Sequence, residues 1–168
     1  GMFARVANLL KRETERSYIY AYWPSFDSLA HQFGVKSNQL AMHYKELDRA
    51  FENFAASVDP YSTMVIVTAD HGLIDTAPDR VIHLEDHPEM AACLLLPLCG
   101  EPRVAYCYLR SGMEQTFVSY VESNLAHACS AKPSFELLEQ GYFGTGATHP
   151  DLHRRIGDVV LLMKDNYV

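Results

Sequence analysis

The stretch TMVIVTADHGLID, residues 63–75, decides how this chain is read. Met64 to Thr68 are almost all apolar and β-branched, the composition of a strand buried on both faces. The run then breaks abruptly into Asp70, His71 and Gly72. In an open parallel sheet, ligands bind just beyond the carboxyl ends of the strands. A hard carboxylate beside an imidazole is a donor set suited to Zn²⁺ or Mn²⁺. Gly72 lets the backbone turn or approach a ligand closely. Taken alone, Asp70 capping a turn and His71 as an ordinary polar residue explain the stretch equally well.

Upstream, SYIYAYW (residues 17–23) reads as a second strand, stopped by Pro24. PSFDSLAHQFG then reads as a loop carrying Asp27 and, four residues on, His31. Between the two strands, residues 37–58 form the clearest helix, with Ser37 as N-cap and a stripe through Leu40, Leu47, Ala50, Phe51 and Phe54. Strand, loop, helix and strand in that order predict a βαβ unit with a mostly parallel sheet. Both Asp/His pairs then fall at one edge of it.

The remaining elements follow the same logic. Residues 3–16 read as a helix. MAACLLLPL and RVAYCYL flank CGEP and read as a hairpin. Residues 113–128 and 134–140 read as helices, Gly141 ending the second. DVVLLMK, residues 158–164, closes the chain as a strand. The expectation is one α/β domain over residues 1–168.

The Gly-rich loop GTGATHPDLHRRIGD supplies a third donor, His149, with His153 as its rival. Two imidazoles and a carboxylate are a common catalytic zinc set with one open position. A further cluster, His83, Asp86 and His87, reads as a polar surface loop or as lining of a substrate cleft. His43 and His127 lie on expected helices and read as structural or solvated.

Composition narrows the function classes. The chain has 168 residues, 48% of them apolar, and a net charge of −7. A nucleic-acid polymer or an anionic membrane calls for a basic surface, which this balance disfavours. No run is long and apolar enough to span a bilayer. Cys93, Cys99, Cys107 and Cys129 lack metal-site spacing and read as reduced thiols, which suits a reducing, cytoplasmic setting. Gly1 ahead of Met2 reads as a cloning scar, so the natural start is left open.

In order, D-S-L-A-H, T-A-D-H-G and a late Gly-rich loop with a histidine resemble the type I phosphodiesterase/nucleotide pyrophosphatase family of the alkaline phosphatase superfamily. The resemblance runs from about Tyr18 to Leu162. It implies an alkaline-phosphatase-like α/β fold and a two-metal phosphohydrolase acting on a small phosphodiester or nucleotide. Asp27, His31 and His149 would hold one divalent ion, Asp70 and His71 the other, with zinc or manganese as the metal. Such a pair clamps the attacking and leaving oxygens of an in-line displacement. The family's Thr or Ser nucleophile belongs to an N-terminal half that nothing here matches. Thr14 and Ser17 follow a helix rather than opening one, so neither is assigned that role. The chain is therefore expected to be the C-terminal part of a longer enzyme, poorly active alone and prone to self-association through uncovered apolar surface. The competing reading is a non-catalytic α/β association module that keeps a relic metal site.

Overall fold

The computed structural model describes residues 1–12 and 15–168. The chain separates into two compact units, Gly1–Asp75 and Thr76–Val168.

The first unit is helical. α1 spans Met2–Arg12, α2 Ser25–Phe33 and α3 Asn38–Ser57. The continuation of the expected first helix over Glu13 and Thr14, and the reading of Thr14, lie outside the described residues. α3 starts where the sequence puts it, because the Ser37 hydroxyl accepts the Leu40 N–H at 3.2 Å. A ring cluster holds the unit together. Phe3 of α1 stacks on Trp23 and on Phe54, with centroids 5.9 and 5.4 Å apart, and meets Phe51 edge-on. The Trp23 indole N–H donates to His43 Nε2 at 2.9 Å, so His43 is a structural partner of the ring cluster.

Two expectations are corrected here. PSFDSLAHQF is a helix rather than a loop: Pro24 stands at its N-cap, Asp27 lies in the first turn and His31 in the last. Residues 17–23 and 64–69 are irregular and join no ladder among the described residues. A strand exists only where its N–H and C=O groups meet a partner. Their β-prone composition has no such partner in this unit, and most of their apolar side chains are exposed.

The second unit carries the sheet. β1 (Cys99–Glu101), β2 (Val104–Cys107), β3 (Cys129–Pro133) and β4 (Val159–Met163) lie in the order β1-β2-β4-β3. Every pair is antiparallel, so the mostly parallel sheet expected from the sequence is corrected while the mixed α/β character stands. The apolar run VVLLM marks a strand covered on both faces but says nothing about direction. β4 is that strand, and its Val159 and Val160, which point to opposite faces, are both fully buried. The hairpin exists one segment later than expected, since MAAC belongs to α4 (Pro88–Cys93). α5 (Glu114–Asn124) and α4 pack Phe117, Val121, Met90 and Cys93 against Cys107, Val159 and Leu161. α6 spans Ser134–Glu139, and Gly141 follows it with φ +75°, as a C′ glycine should.

The turn into β4 is tightly fixed. Asp158 accepts the Leu109 N–H at 2.7 Å through Oδ2, and its own N–H reaches the Cys107 carbonyl at 2.9 Å. Gly157 sits there with φ +68°, and a Cβ would lie 2.6 Å from the Cys107 carbonyl oxygen. Gly157→Ala should therefore destabilise the chain by at least about 2 kcal/mol in a denaturant titration, from left-handed strain and a backbone clash together. A change under about 0.5 kcal/mol would mean the turn relaxes.

All four cysteines are free thiols, Cys99 exposed and the others buried. Burial pushes the Cys107 thiol up to about 12, and burial raises Cys129 as well. The folded Cys107 holds its proton more tightly than the unfolded thiol, whose pKa is about 8.5. Its contribution to stability is thus complete below about pH 8.5 and is lost as pH climbs toward 12. The expected outcome is a melting temperature that falls through that window, with a shallower fall in Cys107→Ala. Under native conditions a thiol reagent should titrate Cys99 quickly and the other three only on unfolding.

Candidate metal centre

α2 builds the first half of the site. The four-residue spacing of Asp27 and His31 puts both on one helix face. Asp27 Oδ1 stands 3.4 Å from His31 Nε2. The second half comes from the irregular segment after Thr63. Its start is held by Asp59, whose carboxylate accepts the Tyr61 N–H at 3.0 Å and the Ser62 hydroxyl at 2.8 Å. Those two hydrogen bonds hold the Asp59 carboxyl below its usual range. Its end is held by Asp75, which accepts the Val35 N–H at 2.6 Å beside Gly34. Between these moorings, His71 Nε2 comes to 3.9 Å from Asp27 Oδ1 and 3.8 Å from Asp70 Oδ1.

The ring of His71 is set by its backbone. Nδ1 lies 3.0 Å from the Gly72 carbonyl oxygen, which can only accept, so in the neutral ring Nδ1 carries the proton. The Nε2 lone pair then faces the two carboxylates. This is the arrangement a metal-ligating histidine adopts, its distal N–H tied to a carbonyl.

Asp27 Oδ1 is the atom on which the geometry turns. It is shielded from solvent yet makes no hydrogen bond among the described residues. The Asp27 side chain as a whole is 42% exposed, so its charge stays partly solvated, and the Oδ1 that lacks a donor is the atom a cation or proton would compensate. The chemistry of its neighbours fits a cation. Tetrahedral ligands at about 2.0–2.1 Å from one ion are about 3.3 Å apart, close to the 3.4 Å between Asp27 and His31. The side chains stand as a chain of pairs, His31 to Asp27, Asp27 to His71 and His71 to Asp70. Among the described residues, no three His, Cys, Asp or Glu side chains form a closed metal-holding group.

The other candidates lie in the second unit. His149 sits in the loop after α6, where Nδ1 accepts the Asp151 N–H at 3.2 Å. It lines a cavity of about 340 Å³ with Leu138, Phe143, Thr148 and Leu152. Here the neutral ring carries its proton on Nε2, the opposite tautomer to His71. His153 lies on a short 3₁₀ turn, Leu152–Arg154. His87 bonds through Nδ1 to the Tyr120 hydroxyl at 2.9 Å, which ties it to α5, while His83 and Asp86 are exposed. His127 packs edge-on against Tyr167.

Sequence reasoning placed Asp27, His31, Asp70 and His71 together, and the structure brings these four into contact. It missed α2. The signal was available: a proline at a helix start, an acid in the first turn and an i,i+4 pair.

If Asp27 Oδ1 is an uncompensated acceptor, the metal-free chain should tolerate its loss. Asp27→Asn supplies an N–H₂ donor and should leave the melting temperature of the chelator-treated protein unchanged or higher. A loss of more than about 1 kcal/mol would show that the carboxylate is already satisfied.

A family model, type I phosphodiesterase / nucleotide pyrophosphatase, matches residues 2–168. Among solved structures, murine ectonucleotide pyrophosphatase/phosphodiesterase 5, an inactive variant in complex with AMP, superposes with a TM-score of 0.71 at 19% identity. The match covers 99% of this chain and 44% of that one, so the chain spans under half the length of that structure. No curated protein matches.

Proposed function

The chain belongs to the type I phosphodiesterase/nucleotide pyrophosphatase family, and from that premise we propose that it carries part of a metal-dependent centre for hydrolysing a phosphodiester or pyrophosphate bond. The observation that carries this reading is Asp27 Oδ1, shielded, without a hydrogen-bond donor and flanked by His31 and His71. We assign Asp27 and His31 to one divalent ion and Asp70 and His71 to a second.

Zinc suits the imidazole-rich set best, with manganese as the alternative. Bound there, two divalent ions would neutralise charge developing on a phosphoryl group in displacement. The chain's own part is positional. α2 holds the Asp27 carboxylate and the His31 ring on one face, and the Gly72 carbonyl fixes the proton of His71. A small nucleotide or phosphodiester is the proposed substrate, in keeping with the chain's net charge of −7 and with a bound metal rather than a basic surface meeting the phosphate. His83, Asp86 and His87 are proposed as cleft lining. The Thr or Ser nucleophile of the family is proposed to lie in sequence other than this chain.

A calorimetric Zn²⁺ titration of the chelator-treated chain tests the assignment. One tighter event should disappear in His31→Ala, and a weaker one should disappear in His71→Ala. Binding that neither substitution changes would overturn the assignment.

A further inference from the structure

We infer that Asp75 is a positioning residue for the candidate centre. Its carboxylate ties the segment that carries Asp70 and His71 to the end of α2, and so holds His71 against Asp27. The consequence for metal rests on the reading given under Proposed function, whereas the geometry stands on the chain itself.

Two observations carry it. Asp75 Oδ1 accepts the Val35 N–H at 2.6 Å, a link across 40 residues of sequence. The carboxylate also fits against a glycine. Gly34 closes α2 with φ +84°, its N–H donating to the Ala30 carbonyl at 2.8 Å. A Cβ on Gly34 would stand 3.1 Å from Asp75 Oδ1 and 3.7 Å from its Cγ. The residue whose left-handed turn ends the helix is therefore also the one that leaves room for the carboxylate.

The place of the link in the sequence gives it its effect. Val35 lies four residues beyond His31, and Asp75 four residues beyond His71. The two segments are thus joined at the same remove from each imidazole. Residues 64–69 join no ladder among the described residues, so pairing does not fix where His71 lies. The segment's other mooring, the Ser62 hydroxyl on Asp59 Oδ2 at 2.8 Å, is nine residues before His71. The chance that a flexible tether brings its end to a given point falls roughly as the −3/2 power of its length. Holding His71 by nine residues instead of four makes its meeting with Asp27 about threefold rarer. A cation on His71 would lose the nearby Asp27 carboxylate to the same extent. The Asp75 link is exposed, so its loss should change global stability little.

Nuclear Overhauser spectra of the chelator-treated chain, followed by calorimetric Zn²⁺ titration, test this on the parent, Asp75→Asn and Asp75→Ala. Asparagine keeps an Oδ1 acceptor for the Val35 N–H and alanine removes it. The expected result is a cross-peak between the His71 ring and the Asp27 Cβ protons in the parent. It should be largely kept in Asp75→Asn and at least about threefold weaker in Asp75→Ala, with the melting temperature unchanged. The His71-dependent zinc event should weaken by about threefold or more in Asp75→Ala alone, and the His31-dependent event should stay as it is. A parent without the cross-peak overturns the inference, and so does a cross-peak as strong in Asp75→Ala as in the parent. Equal losses in the two variants overturn it too, since the charge rather than the link to Val35 would then matter. A cross-peak that responds as expected in a chain without a His71-dependent zinc event upholds the positioning and overturns the metal reading instead.

Discussion

A strand needs a neighbour, and that requirement divides this chain. VVLLM, at residues 159–163, lies between β2 and β3 with both rows of backbone groups paired. It becomes a central strand of the sheet, with Val159, Val160 and Leu161 buried. MVIV, at residues 64–67, is as apolar and as β-branched, but it meets no ladder among the described residues and stays irregular and exposed. Composition is nearly the same in the two runs. The difference is the presence of donors and acceptors at the right distance.

The site inherits this division. Asp70 and His71 follow the unpaired run, and Asp27 and His31 follow the other one through α2. The segments are brought together at the donor atoms themselves, where His71 Nε2 approaches Asp27 Oδ1 to 3.9 Å. What fixes the rings is local: an i,i+4 helix face for His31 and a backbone carbonyl for His71. The cluster is thus set by local structure, with Asp27 Oδ1 left without a hydrogen-bond donor among the described residues.

The sequence was most legible where local chemistry decides the outcome. Ser37 caps α3, Gly141 ends α6 with positive φ, and the spacing of D-S-L-A-H and A-D-H-G singled out the four donors that come together. It was least legible where partners decide. Residues 17–23 and 64–69 have the composition of buried strands, and nothing local shows whether a ladder is available. Strand direction was equally hidden, because an all-apolar run is the mark of a covered strand, parallel or antiparallel. β3 escaped notice because CSAKP holds a lysine and a proline and alternates weakly. α2 was obscured by its own proline, which stops a strand and starts a helix with one residue.

The central claim is that the shielded Asp27 oxygen and its flanking imidazoles receive a cation. X-ray absorption at the zinc edge of the Zn²⁺-loaded chain tests it most directly. The account predicts a first shell of nitrogen and oxygen only, at about 2.0–2.1 Å, with outer scattering from imidazole that diminishes in His31→Ala. A sulfur shell at about 2.3 Å, or a spectrum that His31→Ala leaves unchanged, would place the metal on the cysteines or elsewhere and contradict it.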